Sequence, residues 1–349
     1  MQDVRSILVC RRHNHVGDML CSLPLYAALR RHWPRARITL LATPTRYPVP
    51  LRALNPFLDD LMYHTKGSVR TVVENHLDLR RRKFDVAFVP STVALSRSSH
   101  LAAFLSGAGL RVGVSSIDGV ENPSQRFLNC ATDVHWVHER VHQMDRNLEI
   151  ARAAGCMLDA EEMARLHIPI DARAEEEAAR CLQLLPGDDA VIGVHPGAGK
   201  KENVWPTQRY FSVVQRLHRA YGVRVLITAG VLDRDEVSLL TALCTAHAIP
   251  FHVLQDAPVP LLSAVLRRLH LYLCNDTGTM HVAAFSGCPT VSIFGPTHAW
   301  EWAPRGGQHR CIISDDGEIE SVDTEAVYEA GKALLEGAGC LDDGAAMQC

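Results

Sequence analysis

The 349-residue chain has no uncharged apolar run near the roughly 18 residues needed to span a bilayer, so a helical membrane protein is not expected. Its first residues, MQDVRSILVCRRHNHVGD, bring in acid and base before an apolar stretch can form, which argues against a secretory signal. The eleven cysteines are odd in number and include no Cys-x-x-Cys. A disulfide scaffold and the usual zinc spacing are therefore set aside. Cys10 and Cys274 sit in apolar runs and read as reduced small hydrophobes of a cytoplasmic protein. No Walker sequence occurs and no GxGxxG follows a strand, which leaves little support for a dehydrogenase or P-loop NTPase. No repeat of 20–50 residues is visible. Lysine is scarce too, at five of the 36 basic residues.

What is present is ordinary in bulk: 47% hydrophobic and 21% charged residues, over about twice the length of a typical domain. Two globular domains are expected. The net charge of −3 hides a split. Residues 1–168 hold 22 Lys and Arg against 16 Asp and Glu, whereas the rest hold 14 against 23. Arginine suits bidentate contacts to phosphate or carboxylate, although GC-rich coding gives the same bias. A basic first half suggests an anionic partner for that half, and no nucleic-acid partner is expected.

Short apolar runs alternate with amphipathic segments. SILVC (6–10), ITLLAT (38–43), FDVAFVPS (84–91) and RVGVSS (111–116) read as strands. Helices are expected over 19–33, 101–109 and 138–155. The alternation restarts after a polar helix at 171–185, with strands at 190–197, 223–230, 270–276 and 289–295. Helices are expected at 207–222, 233–247, 259–269, 279–287 and 324–335. The expected division is a first domain at 1–170, a linker at 171–188, a second domain at 189–335 and a flexible tail at 336–349. The last helix is a candidate to pack back on the first domain. The fold class is α/β with parallel sheets, where ligands bind beyond the carboxyl ends of the strands.

Three clusters lie at such ends. His13-Asn14-His15-Val16-Gly17-Asp18 follows the first strand; Gly17 permits a tight turn, and Asp18 is either a helix cap or a carboxylate base. His13 and His15 have only weak metal-ligand spacing. His195 to Pro206 runs from a strand into a glycine-bearing loop with Lys200, Lys201 and Asn203, either a solvated loop or a phosphate cradle. Asn275-Asp276-Thr277-Gly278-Thr279-Met280-His281 is a strand-to-helix turn. There Asp276 or Thr277 can cap a helix whose amino end attracts anions, or Asp276 can grip sugar hydroxyls. In HWVHERVH (135–142), His135, His138 and His142 are spaced i, i+3, i+7 and would share one helical face, as a polar face or a metal site.

The segments VGDMLCSLPLYAALRRHWPRARITLLA, VHPGAGKKENVWP and NDTGTMHVAAFSGCPTVSIFGPT together resemble glycosyltransferase family 9, the ADP-heptose:lipopolysaccharide heptosyltransferases, over residues 6–305. The resemblance implies a GT-B fold: two Rossmann-like domains flanking a cleft, the first for the acceptor and the second for the nucleotide sugar. It implies inverting heptose transfer from ADP-heptose to the anionic lipopolysaccharide core, with no metal or other cofactor, at the inner face of the cytoplasmic membrane. Asp18 matches the family's general base, with Arg11, Arg12, His13, His15 and Gly17 on the acceptor side. Asp276, Thr277, Gly278 and His281 match the donor turn, and Lys200 and Lys201, slightly upstream of the position where the family's basic residue meets the diphosphate, are candidates to supply its charge through the loop. Asp233 is a candidate ribose contact. Where the family usually has Lys or Arg near Trp-Pro, this chain has Asn203, and His13 and His15 stand where small or polar residues are commoner.

Overall fold

A computed structural model describes residues 3–11, 15–44, 49–63 and 69–337. Arg12 and His13 therefore lie outside the described residues. The chain divides into two units, Met1–Leu166 and His167–Cys349.

The first unit contains β1 (Ser6–Cys10), α1 (Val16–Cys21), α2 (Leu23–His32), β2 (Arg37–Ala42), α3 (Leu51–Leu54), β3 (Asp60–Tyr63), α4 (Val69–Arg81), β4 (Val86–Phe88) and α5 (Arg97–Leu105). It continues with β5 (Leu110–Ile117), β6 (Val120–Glu121), β7 (Cys130–Val134), α6 (Gln143–Arg152) and α7 (Ala160–Ala164). Its sheet runs β3-β2-β1-β4-β5, with β6 and β7 both pairing with β5. All of these pairs are parallel except β5–β6. Ile7, Leu8 and Val9 are fully buried, as expected for a central parallel strand covered on both faces.

The second unit contains α8 (Ala172–Leu182), β8 (Val191–His195), α9 (Thr207–Tyr221), β9 (Arg224–Ala229), α10 (Arg234–Ala246), β10 (Phe251–Gln255) and α11 (Val259–Leu266). Then come β11 (Leu271–Asn275), α12 (Gly278–Phe285), β12 (Thr290–Phe294), α13 (Ala299–Trp302), β13 (His309–Ile313) and α14 (Thr324–Gly337). Its parallel sheet has the order β10-β9-β8-β11-β12-β13. This is the doubly wound 3-2-1-4-5-6 pattern, whose strand order reverses between β8 and β11 and opens a crevice there. Gly222 ends α9 at φ 69°, in the left-handed region that glycine enters without a Cβ clash.

Several expectations need correction. The helix expected over 19–33 is two helices, because Pro24 has no N–H to continue the ladder; Ser22 sits at the break and its hydroxyl donates to the Met19 carbonyl at 2.7 Å. The helix expected from 138 begins only at Gln143. Arg140 takes a positive φ of 51°, and the Asp118 carboxylate accepts from the N–H groups of Val137 and His138 at 3.1 and 3.0 Å. His142 is the cap of α6, its Nδ1 accepting from Met144 N–H at 3.1 Å. The shared histidine face therefore does not form, since His135 and His138 precede the helix.

The segment expected as a linker is part of the second unit. Ala174, Ala178 and Cys181 form the buried stripe of α8, which packs on α11, and Glu175 pairs with Arg268 at 2.7 Å. The last helix packs within its own unit, against α9, β11, β12 and β13. Arg216 and Glu325 make a two-pronged ion pair at 2.6 and 2.9 Å that ties it to α9. The helix runs through Glu336 and Gly337; the rest of the expected tail lies outside the described residues.

Candidate functional site

In the first unit, Arg11 leaves the carboxyl end of β1, and its main-chain N–H bonds the Leu41 carbonyl at 3.1 Å. Its side chain, 3% exposed, turns inward. Nη1 donates to Asn147 Oδ1 at 3.0 Å, and Nη2 to Asp18 Oδ1 at 3.4 Å. Asn147 is anchored in turn, its Nδ2 donating to the Gln143 carbonyl at 2.7 Å. Asp18 is not the helix cap: His15 takes that position and Asp18 lies in the first turn of α1. Gly17 is buried in the same turn, whereas His15 is exposed. The β4 exit contributes Thr92, whose carbonyl accepts from Arg146 Nη1 at 3.1 Å. Asp18 is thus a nearly enclosed carboxylate beside a guanidinium, at the end of strands β1 and β4 where the strand order reverses.

In the second unit, Asn275 organises the β11 exit. Its Oδ1 accepts from Trp205 N–H at 3.1 Å and from the Tyr210 hydroxyl at 2.9 Å. Its Nδ2 donates to the Pro196 and Gly197 carbonyls at 3.0 and 2.9 Å. One fully buried amide thereby holds both ends of the β8–α9 loop. Next to it, Asn203 Nδ2 lies 3.3 Å from both Asp276 Oδ2 and Thr297 Oγ1. This brings together the exits of β8, β11 and β12.

Burial raises the Asp276 pKa, while the Thr297 hydrogen bond and the positive charge of Lys200 pull it back. Lys200 and Lys201 are both exposed; only Lys200 exerts an identified charge effect on Asp276. Of the two residues expected to cap α12, Thr277 occupies the cap position, without a side-chain capping bond. The α12 amino end, starting at Gly278, therefore carries amide donors suited to an anion. His281 is buried on α12, with its ring 6.2 Å from that of Trp302.

Asp233 is enclosed rather than presented. It is 5% exposed, its Oδ2 accepts from Gly230 N–H at 2.6 Å, and the same oxygen faces His195 Nε2 at 3.6 Å. A Cβ on Gly197 would lie 2.0 Å from Asp233 Oδ1, so only glycine fits there. This geometry favours a loop-closing role over the expected ribose contact. His195 stays neutral more readily than usual, because burial lowers its pKa against the opposing pull of Asp233. Its Nδ1 lies 2.9 Å from the Thr228 carbonyl.

Sequence reasoning placed Asp276, Thr277, Gly278, Asn203 and Lys200 at one edge, and the structure gathers them there. The Phe294–Thr297 turn was also legible as a strand exit on that edge, whereas Asn147, Tyr210 and the Trp302 ring beside His281 were missed. A polar residue ending an apolar strand, as Asn275 ends LYLCN, was the available signal for the loop clamp. Among the described residues, no group of three or more His, Cys, Asp or Glu is arranged to hold a metal, and no helix is long and apolar enough to cross a membrane.

Comparison with known proteins adds a family match. The model for glycosyltransferase family 9 (heptosyltransferase) matches residues 76–330. Lipopolysaccharide heptosyltransferase 2 of Escherichia coli K12 is 25% identical over 297 residues, covering 81% of this chain and 80% of that protein. A family 9 glycosyl transferase structure from Veillonella parvula superposes with a TM-score of 0.76 at 19% identity, covering 96% of this chain and 98% of that one. The E. coli ADP-heptose lps heptosyltransferase II structure gives 0.74 at 21% identity, covering 96% and 99%.

Proposed function

Because the chain belongs to glycosyltransferase family 9, with the two Rossmann-like units of a GT-B enzyme, we propose that it transfers heptose from ADP-heptose to a hydroxyl of the lipopolysaccharide core, with inversion. The observation that carries the donor half is the meeting of Asn203, Asp276 and Thr297 at the switch point of the second sheet, beside Lys200 and the uncapped start of α12. A carboxylate and an amide there can hold sugar hydroxyls. Lys200 and the α12 amides offer positive charge to a departing diphosphate.

Asp18 is the base in this reading. It accepts the proton of the acceptor hydroxyl as that oxygen bonds to the anomeric carbon and the bond to the diphosphate breaks. The proton ends on Asp18 and the electron pair on the leaving nucleotide. No covalent intermediate, metal or further cofactor takes part. Arg11 steadies the carboxylate, and the Arg-rich first unit meets the anionic acceptor at the inner membrane face. Mass spectrometry of defined core acceptors incubated with ADP-heptose tests the assignment: a product heavier by one heptose supports it, and no product with any core acceptor rejects it.

The neutral Asn203 favours one second reading, a family member that binds nucleotide sugar without turning it over. It predicts donor binding by calorimetry with no transfer to a panel of other sugar or protein acceptors, whereas transfer to one of those would mark a different acceptor.

A further inference from the structure

We propose that Trp302, set edge-on to His281, is an aromatic platform for the sugar ring of the donor, an inference that rests on the donor reading above. β12 exits into α13 immediately after Thr297, whose hydroxyl already meets Asn203. The three aromatic residues thus follow directly on the Asp276 cluster. Trp302 lies edge-on to His281, with centroids 6.2 Å apart and planes at 70°. His298 stacks on Trp300 at 5.4 Å and 20°. Trp300 and Trp302 are half-buried, so part of each indole stays accessible, whereas Trp33, Trp136 and Trp205 are 8%, 1% and 0% exposed.

The strand order decides which part of the donor reaches them. The sheet runs β9-β8-β11-β12, and the diphosphate donors sit on the β8 loop and at the start of α12, in the middle of that row. Asp276, at the β11 exit, holds the sugar. The nucleoside then runs towards the β9 side and the sugar towards β12. A pyranose presents weakly positive C–H bonds on its flatter face, and the negative face of an indole attracts them. Hydroxyl recognition by Asp276 and C–H recognition by Trp302 together would orient the ring for attack at its anomeric carbon.

The test titrates the full chain with ADP-heptose and, separately, with ADP, following tryptophan emission and heat together. ADP-heptose should change the emission and shield it from acrylamide, whereas ADP should bind with little change. Trp302→Phe should remove most of that response. Trp302→Ala, checked for an unchanged melting temperature, should weaken ADP-heptose binding by roughly three- to tenfold, the scale of one aromatic contact, while ADP affinity stays within twofold. An equal emission change with ADP alone, or an equal loss of ADP affinity in Trp302→Ala, would overturn the platform and place a stacked base there instead. ADP-heptose heat without any emission change would overturn the platform but leave the donor reading intact. Absence of heat with both ligands would bring down the donor reading and the platform together.

Discussion

The guanidinium of Arg11 lies 3.4 Å from the carboxylate of Asp18, with the two side chains only 3% and 10% exposed. A carboxylate this enclosed needs a compensating charge, and Arg11 supplies one from the end of the neighbouring strand. Asn147 fixes the other arm of the guanidinium, so the pair has a set orientation.

Removing one partner of such a pair leaves an uncompensated buried charge, at a cost of about 3 kcal/mol. Arg11→Met should therefore destabilise the fold by that order in urea unfolding. Adding Asp18→Asn should recover much of the loss. Additive losses in the double variant would show that the two side chains are not coupled.

The two lysines of the β8 loop should separate. Lys200 is the one whose charge acts on Asp276, so Lys200→Ala is expected to raise the donor KM roughly tenfold, about the 1.4 kcal/mol expected of one charge-assisted contact. Lys201→Ala should change it much less. Equal effects in steady-state kinetics would contradict this assignment.

Asp276 carries a pH signature. Its pKa is raised by burial, so the folded state disfavours the ionised carboxylate. The favourable contribution of the protonated form is present in acid and is lost as pH rises through the folded pKa. Asp276→Asn should thus raise the melting temperature at neutral pH, with the gain shrinking towards zero in acid, while donor binding falls. A gain that is constant across pH would point to a cause other than the buried charge.

Asn275 makes four hydrogen bonds with its one amide. Asn275→Ala leaves the Tyr210 hydroxyl and two loop carbonyls without that partner and should cost about 2 kcal/mol of stability. Hydrogen exchange should rise across 196–205, and donor affinity should fall with it. A stable variant with an unaltered loop would refute the clamp.

The sequence revealed strands whose burial is complete. SILVC and AVIGVHPG are apolar runs with turn residues after them, and both became central strands. β7 and β13 were not read, because each is partly exposed and polar residues interrupt its pattern. The late start of α6 was hidden for another reason: Arg140 takes a positive φ of 51°, and Asp118, from a distant turn, holds the N–H groups of Val137 and His138 in the turn that precedes the helix. At the site, the local motifs around Asp18 and Asp276 were legible because their residues are contiguous. The Asn203–Asp276 contact joins positions 73 apart, so the sequence alone showed only that a basic residue was missing. Arg11 stands just ahead of the first cluster and its pairing with Asp18 was not read, while Asn147 comes from α6 and left no trace there.

The most direct test of the central claim compares wild-type protein with Asp18→Asn in heptose transfer from ADP-heptose to a lipopolysaccharide core acceptor, with folding and ADP binding verified for both. The wild type should transfer heptose, and the variant should lose roughly 10²–10⁴-fold in kcat while keeping its ADP affinity. Near-full transfer by a folded Asp18→Asn protein would contradict it.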